Sequence, residues 1–315
     1  MSAFKYLMHF AYIGKPFRGS QRQILGGFPR PDDPLTVQGR LEMALKKLNP
    51  CNEPIVYLSS RTDSGVHAIN TTCTVNLYRS NGMVYFPRSI TICLNSYFKK
   101  QDVPIRILKT YLVPDTFNCR HKAISRTYMY RLTVGKANSI NCAPNYQFIP
   151  IEEWDRSLFY CTDTFDLDKM REGANLFEGY HDFRSFMGNH KNEPDKVTRR
   201  IIEYVKIQQV DRYGYSTYSW PKIIETPFDD YLFIDVYMKS PGFLYRQVRR
   251  IVAALVALAQ GKVTIRDLKL MLEIPSRHSW CPQIKTLPAH GLYLCEVEYS
   301  KEDLDTFRTD PESGI

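Results

Sequence analysis

Apolar residues recur along the chain with two different periods, one typical of a strand and one typical of a helix. The first predicts strands at Tyr6–Tyr12, Ile55–Ser60, Thr71–Tyr78, Ile105–Val113, Thr127–Val134, Arg200–Val210, Tyr231–Lys239 and Gly291–Tyr299. The second predicts helices after Thr36, at Ser89–Lys100, Leu167–Phe177 and Phe243–Gln260, and from Thr264. Strands and helices mixed in this way, with much antiparallel character, favour an α+β fold.

Residues at the ends of these segments support them. Thr36 can cap the helix that follows it, and Asn49-Pro50 ends that helix because proline cannot continue its hydrogen bonds. Gly261 is predicted to cap the longest helix at its C-terminus. The segments Gly135–Trp154 and Arg212–Asp230 are predicted to be loops.

The length of 315 residues suggests two domains, or one large domain, and 43% apolar residues can form a sizeable core. A predicted strand ends at Val113-Pro114-Asp115, and we place the domain boundary there. This predicts an N-terminal lobe of residues 1–112, a C-terminal lobe of residues 113–300 and a frayed acidic tail of residues 301–315.

Positive charge is concentrated in the N-terminal part of the chain. There are 42 Lys and Arg against 33 Asp and Glu, which gives a net charge of +9. Up to Arg131 the chain has 19 basic and 7 acidic residues, whereas the remainder has 23 basic and 26 acidic. A cationic half of this kind fits a nucleic-acid partner, although a solvated charged surface explains a modest excess equally well.

Several classes of protein are disfavoured by the sequence. The longest strongly apolar stretch, Ile251–Gly261, falls well short of the roughly 20 residues that cross a bilayer, so we expect no membrane partner. No secretory signal is visible, and the eight cysteines are therefore predicted to be reduced thiols. There is no CxxC, HxxxH or HExxH spacing and no nucleotide-binding glycine motif, so we expect neither a metal nor a cofactor.

The most polar candidate segment is Ser59–Ala68, which lies between two predicted strands. It carries the carboxylate of Asp63, the guanidinium of Arg61, four hydroxyls, Gly65 and His67. The residue types alone favour an Asx-type turn, with Gly65 at positive φ, over a catalytic loop.

A second candidate is the start of the predicted helix from Phe243. Arg246, Arg249 and Arg250 would fall on neighbouring positions of one helical face, with no acidic residue between Ser240 and Lys262. A solvated basic face is the simpler interpretation. A bound phosphate or carboxylate would relieve the repulsion among the three guanidiniums.

Two further segments carry aromatic or titratable side chains. Tyr128 and Tyr130 are two apart on a predicted strand, so they would face the same side and could stack on a base, although such residues are more often core. His181 and Asp182 are adjacent on a strand and would point to opposite faces, which makes them a poor catalytic dyad.

Six segments in the same order resemble the TruA-type tRNA pseudouridine synthases, and especially their eukaryotic tRNA pseudouridine synthase-like members. They are YIGKPFRGSQRQ (Tyr12–Gln23), SSRTDSGVHA (Ser59–Ala68), SRTYMYRL (Ser125–Leu132), HDFRSF (His181–Phe186), FLYRQVRRIV (Phe243–Val252) and LPAHGLYL (Leu287–Leu294). The RTD-x-GVHA pattern is highly specific to this family. The local alternatives therefore no longer apply to Asp63, Tyr128 and Arg249.

The resemblance implies that the protein isomerises uridine to pseudouridine in RNA, with tRNA and its anticodon arm favoured. The reaction breaks the N1–C1′ bond and joins C5 to C1′, and it needs no cofactor or metal. Asp63 corresponds to the family's catalytic aspartate; addition to C1′ and proton removal to form a glycal both stay open. The alternative is a non-catalytic RNA-binding or RNA-folding factor, which the joint presence of Asp63, Tyr128 and Arg249 disfavours.

Other roles are carried over in the same way. Tyr128 would stack on the target uracil, and Arg249 would pair with Asp63 from the other lobe. Arg61 would favour the charged form of Asp63 and contact the displaced strand. RNA contacts are predicted for a set of polar and basic residues: Gln21, Arg22, Gln23, Arg246 and Arg250.

The implied fold has two ferredoxin-like α/β lobes, with mainly antiparallel sheets that flank a basic RNA-binding cleft. Bacterial relatives are dimers, so a homodimer is expected here. The eukaryotic relatives suggest a mitochondrial location, with cytoplasm and nucleus as alternatives. The chain departs from the usual family pattern at several positions: Ile13, Ser20, Ser60, Arg250 and Ala253.

Overall fold

The computed structural model describes residues 4–22, 24–25, 28–29, 32–136, 149–188, 197–212 and 230–308. The chain forms two compact units: unit 1 is Met1–Arg126 with Tyr293–Ile315, and unit 2 is Thr127–Leu292. The division therefore differs from the one predicted at Val113. The physical reason is that the chain after Val113 packs on unit 1, where the Phe117 ring lies 5.4 Å from that of Tyr299 and 5.0 Å from that of Phe307.

The described residues contain strands and helices in an irregular alternation. The first part of the chain has β1 (Phe4–Tyr12), β2 (Ile24–Leu25), β3 (Phe28–Pro29), α1 (Val37–Leu45), β4 (Val56–Leu58), β5 (His67–Leu77), α2 (Pro87–Lys100) and β6 (Ile105–Val113). The middle part has β7 (Ser125–Gly135), β8 (Leu158–Cys161), α3 (Leu167–Asn175), β9 (Gly179–Asp182), β10 (Arg199–Ile202), β11 (Tyr204–Gln209), β12 (Tyr231–Ser240), α4 (Gln247–Ala259) and α5 (Ile265–Glu273). The last part has β13 (Leu292–Glu298) and α6 (Lys301–Asp305).

The sheet of unit 1 is built around β1, which pairs antiparallel with β5 on one side and β6 on the other. The outer edge of β5 is shared by two strands. Its residues Cys73–Val75 pair antiparallel with β4, whereas His67 and Ala68 pair parallel with β13. The antiparallel turn from β4 to β5 thus encloses residues 59–66, the polar segment singled out above.

Helices α1 and α2 pack on each other and on unit 1's strands through their apolar positions. Leu41, Leu45, Ile90, Leu94 and Phe98 are all fully buried. Thr36 caps α1 as predicted, because its hydroxyl accepts the N–H of Gly39 at 3.2 Å.

In unit 2, β12 lies between β11 and β7, and β8 pairs parallel with β7. Strands β9 and β10 form a separate antiparallel ribbon. Helices α3 and α4 pack closely at Gly173, where an added Cβ would lie 2.4 Å from the Leu258 side chain. The predicted strand Arg200–Val210 is thus two strands, β10 and β11, and β8 was not predicted.

Helix α4 begins at Gln247 and not at the predicted Phe243. Arg246, the residue before it, has φ +58°, a left-handed conformation that cannot continue a helix. The C-terminus of α4 is capped by Gly261 as predicted, because Gly261 has φ +70° and donates its N–H to Leu258 O at 2.9 Å. Thr264 caps α5 in a capping box with Asp267.

Two smaller expectations are wrong. The tail does not begin to fray at residue 301, because α6 forms there and Arg308 pairs with Leu112. Cys161 is disulfide-bonded, so the prediction of reduced thiols fails at that position. Most of the two predicted loops, residues 137–148 and 213–229, lies outside the described residues. No helix among the described residues is long and apolar enough to span a membrane.

Candidate active site

The polar segment between β4 and β5 forms a tight loop, residues 59–66, which we call the Asp63 loop. Gly65 has φ +80°, as predicted, and the Val66 N–H donates to Asp63 O at 3.2 Å. The Asp63 side chain is half-buried and that of Arg61 is exposed. The loop therefore presents a carboxylate at a turn, with a cation two residues earlier.

The Asp63 loop is held from behind by residues 14–20, which we call the Gly14–Ser20 segment. Phe17 O accepts the Gly65 N–H at 3.4 Å and the Ser64 hydroxyl at 3.2 Å. Ser20 binds the Thr62 peptide from both sides: its N–H donates to Thr62 O at 3.2 Å, and its Oγ accepts the Thr62 N–H at 2.8 Å. Hydrogen bonds therefore fix the loop on each side of Asp63.

The Gly14–Ser20 segment approaches so closely that position 14 must be glycine. A Cβ at Gly14 would lie 2.0 Å from Val66 O and 2.4 Å from Val66 C. Both are backbone atoms, which cannot move without displacing the Asp63 loop. Gly14 lies inside the opening motif Tyr12–Gln23, but nothing in the sequence pattern revealed this contact.

His67 anchors the other end of the Asp63 loop from within the core of unit 1. Its Nδ1 accepts the Gly14 N–H at 3.1 Å, which leaves the ring proton on Nε2. Its ring stacks on Tyr293 with 4.6 Å between centroids. His67 is fully buried, so its role is to position the backbone.

Arg126, at the start of β7, holds the first residues of the Asp63 loop. Its guanidinium donates to Ser59 O at 3.1 Å, to Ser60 Oγ at 3.2 Å and to Arg120 O at 3.1 Å. Neither Arg126 nor His67 was among the predicted site residues, although both lie inside the motifs that carry the family resemblance.

The predicted RNA contacts of the opening motif divide into three cases. Gln21 is exposed, and Gln23 lies outside the described residues. The Arg22 Nε lies 3.3 Å from a carboxylate oxygen of Glu42, whose side chain is only 5% exposed. Burial raises the pKa of the Glu42 carboxyl, and the Arg22 cation opposes that shift. Arg22 therefore has a structural partner, and its contact with RNA stays a prediction.

In unit 2, only one of the two strand tyrosines is accessible. Tyr128 is half-buried, with its ring edge-on to Phe243 at 5.3 Å. Tyr130 is fully buried and donates its hydroxyl to Pro288 O at 2.8 Å, and burial raises its pKa. The idea of a two-tyrosine stacking platform is wrong, because Tyr130 belongs to the core.

The three arginines of the second candidate segment do not share a helical face. Arg246 precedes α4 and is exposed, with its guanidinium 4.9 Å from the centre of the Tyr245 ring. Arg249 is half-buried on α4 and donates from Nε to Leu287 O at 2.7 Å. The prediction failed because it extended the helix by four residues.

Arg250 is a buried arginine whose partners all lie in unit 2. It is 9% exposed, its guanidinium lies 3.8 Å from the centre of the Trp280 ring, and it donates to Met187 O. Burial lowers its pKa to about 10. We call Met187, Arg250 and Trp280 the arginine corner. These contacts give Arg250 a packing role, and its predicted contact with RNA stays a prediction.

The predicted absence of a His181–Asp182 dyad agrees with the structure. A ring nitrogen of His181 lies 2.8 Å from Glu178 O, whereas Asp182 accepts the Thr198 hydroxyl at 2.6 Å. Over the described part of the chain, no three His, Cys, Asp or Glu side chains form a group that could hold a metal ion.

Comparison with known proteins decides the family. A family model described as tRNA pseudouridine synthase matches residues 174–300. A tRNA pseudouridine synthase-like 1 protein of Xenopus laevis is 31% identical over 304 residues, which cover 96% of this chain and 94% of the relative. The human protein of that name is 32% identical over 94% of this chain and 90% of its own length. The chain belongs to the tRNA pseudouridine synthase family.

Bacterial members of this synthase family match as well. The tRNA pseudouridine synthase A of Ruegeria sp. is 26% identical over 94% of this chain and 95% of its own length. The α+β fold with mostly antiparallel strands is consistent with the pseudouridine synthase fold. The predicted family and fold class are therefore confirmed.

At two positions where this chain departs from the usual synthase pattern, Ser20 and Ser60, the side chain forms a hydrogen bond that supports the Asp63 loop. Ser20 holds the Thr62 peptide, and the Ser60 hydroxyl accepts from Arg126. The structure thus brings Arg61, Asp63 and their supports together in unit 1. Tyr128 and Arg249 belong to unit 2.

Proposed function

We propose that this chain isomerises uridine to pseudouridine in tRNA, with the Asp63 carboxylate as the catalytic group. The observation that carries the proposal is the construction of the Asp63 loop. Both peptide groups that flank Asp63 are hydrogen-bonded, whereas its side chain remains half-exposed. A carboxylate held in this way can meet a substrate without a costly rearrangement of its backbone. The substrate class is supported by the names of the relatives, which are tRNA pseudouridine synthases.

The chemistry matches the functional groups on the loop. Breaking N1–C1′ and forming C5–C1′ is an isomerisation, so no electrons or atoms are gained or lost. The carboxylate of Asp63 would either add to C1′ or remove a proton on the way to a glycal. The base must leave its stack to reach Asp63, which costs a few kcal/mol.

Contacts to the RNA backbone would offset that cost. Arg61 is exposed two residues before Asp63, and a guanidinium there can bind a phosphate next to the flipped nucleotide. Tyr128 is proposed to stack on the uracil, and Arg249 to contact the substrate-binding site. Their half-buried side chains suit such roles, because each keeps an accessible part.

The decisive experiment measures pseudouridine in a pool of tRNA transcripts, mapped by carbodiimide adducts. Wild-type protein is expected to modify defined uridines. Asp63→Asn, which keeps the size of the side chain, is expected to lower the rate by at least about 1,000-fold while RNA binding persists. Asp115→Asn, at an exposed carboxylate of unit 1, is the matched control and should retain activity.

Two outcomes would contradict the proposal. If Asp63→Asn kept the wild-type rate, Asp63 would not be the catalytic group. If the wild-type protein bound RNA with a steep salt dependence but modified no transcript, the non-catalytic RNA-binding factor would become the better explanation.

Three finer proposals rest on the family resemblance alone. The modified uridine is proposed to lie in the anticodon arm, which the same mapping would reveal. The protein is proposed to be a homodimer, for which light scattering should give twice the mass of the chain. A mitochondrial location is proposed as well, and fractionation of tagged protein tests it.

A further inference from the structure

Ser20 lies where the first turn of α1 meets the Asp63 loop. Its backbone O accepts the Gln38 N–H at 2.9 Å, and the neighbouring Gly19 O accepts the Val37 N–H at 3.3 Å. These are two of the N–H groups that a helix leaves unsatisfied at its N-terminus. Ser20 is 3% exposed. Its backbone is therefore fixed to a helix that packs in the core of unit 1.

From this fixed position, Ser20 binds both backbone polar groups of Thr62. The Ser20 N–H donates to Thr62 O, and the Ser20 Oγ accepts the Thr62 N–H at 2.8 Å. The Thr62 hydroxyl is held as well, 2.7 Å from the Tyr12 hydroxyl. Thr62 thus has three hydrogen bonds to rigid partners, and the peptide bond that it shares with Asp63 is constrained.

We propose that Ser20 is a positioning residue for Asp63, acting through the Thr62 peptide. This inference rests on the proposed function of Asp63. The Val66 N–H already fixes the peptide bond that follows Asp63. The Ser20 hydroxyl restricts the residue before it, and that hydrogen bond depends on one side-chain atom. Without it, the Thr62 N–H loses its acceptor and the carboxylate samples more orientations.

The Ser20 hydroxyl is expected to affect the orientation of Asp63 more than the binding of RNA. A displacement of a reacting group by about 1 Å can reduce the rate by up to about 100-fold. Ser20 is buried and its hydroxyl is engaged with Thr62, so its loss removes no contact that RNA would make. The expected signature is therefore a lower kcat with an unchanged KM.

The first test is steady-state kinetics of Ser20→Ala on the tRNA transcript that the wild type modifies. We expect kcat to fall by about 10- to 100-fold, with KM within about threefold of the wild type. Ser20→Thr keeps the accepting hydroxyl and should recover kcat to within about threefold. A wild-type kcat for Ser20→Ala, or a loss confined to KM, would overturn the proposal.

Ser185→Ala provides a matched control in unit 2. Ser185 is fully buried, and its Oγ also accepts a backbone N–H from a distant segment, that of Ser276 at 3.1 Å. The variant should lose a similar amount of thermal stability and keep its kcat. If it lost kcat to the same extent, the effect of Ser20→Ala would be explained by general destabilisation.

Two further measurements distinguish a failure of the positioning role of Ser20 from a failure of the proposed function of Asp63. Hydrogen exchange of the Thr62 amide in the wild type should be slow, and fast exchange would overturn the proposal even if Ser20→Ala failed to fold. Asp63→Asn is run in parallel. If it is inactive while Ser20→Ala is fully active, the positioning role fails and the proposed function stands; if Asp63→Asn is active, the proposed function fails first.

Discussion

The Asp63 loop and the arginine corner use polar side chains in opposite ways. In the Asp63 loop, hydrogen bonds hold the backbone and leave a carboxylate half-exposed. In the arginine corner, the charged group itself is buried, against the Trp280 ring and Met187 O. The first arrangement keeps a carboxylate accessible, whereas the second stabilises unit 2. A polar residue in a family motif can therefore serve chemistry or packing, and its hydrogen-bond partners show which.

The largest expected effect tests whether the Asp63 loop depends on its backbone contacts. Gly14→Ala should cost about 3 kcal/mol or more of unfolding free energy, or prevent folding, because its Cβ would overlap the Val66 carbonyl. Gly242→Ala is the control, since nothing lies within 4 Å of a Cβ there. Urea unfolding measures both. Equal losses would show that the loop does not depend on the close approach at Gly14.

The next prediction sharpens the contrast between Arg250 and Arg246. Arg250→Ala should destabilise the protein by about 2–3 kcal/mol, because it removes the contact with Trp280 and leaves Met187 O without this donor. Arg246→Ala, at an exposed arginine, should change stability little and reduce the salt dependence of RNA binding by about one unit of slope. If Arg246→Ala destabilised the protein and Arg250→Ala only reduced the salt dependence of RNA binding, the contrast between the two arginines would be wrong.

A smaller effect is expected at Arg22, where pH is the variable. Arg22→Ala should cost about 1–2 kcal/mol at pH 7, because it leaves the buried Glu42 carboxylate without its cation. The pKa of Glu42 is raised above the ordinary 4.5, so the carboxyl takes up a proton as the pH falls and no longer needs Arg22. The stability gap between variant and wild type should therefore close toward pH 4.5. A gap that is constant with pH would exclude Glu42 as the cause.

The smallest effect is expected at Lys46. It lies 2.7 Å from Asp32 and 2.8 Å from Glu53, but all three side chains are substantially exposed. Lys46→Ala should change the unfolding free energy by less than about 1 kcal/mol. Thermal unfolding at low and high salt measures this, and a larger loss would contradict the expectation that these exposed ion pairs contribute little.

Local sequence signals predicted the elements whose formation depends on local physics. The caps at Thr36 and Gly261 are confirmed, and so are the helix predicted from Thr264, strand β6 and the positive φ of Gly65. These features depend on neighbouring residues, which a single sequence displays directly.

What could not be predicted depends on tertiary contacts. The helical period continues through Phe243–Arg246, yet the left-handed conformation of Arg246 delays α4. The burial of Tyr130 follows from Pro288, which lies far along the chain. For the same reason the supports of the Asp63 loop, Ser20 and Arg126, carry no signal in their own sequence neighbourhood.

The parallel pairing of β13 with β5 has a consequence for how the protein is made. Unit 1 is completed only by Tyr293, which stacks on His67, whereas unit 2 is one continuous stretch. During synthesis on the ribosome, unit 2 can fold once residue 292 has emerged, whereas residues 1–126 wait for Tyr293 and the residues that follow it. The Asp63 loop, although encoded early, gains the ring that supports His67 only after all of unit 2 has been synthesised.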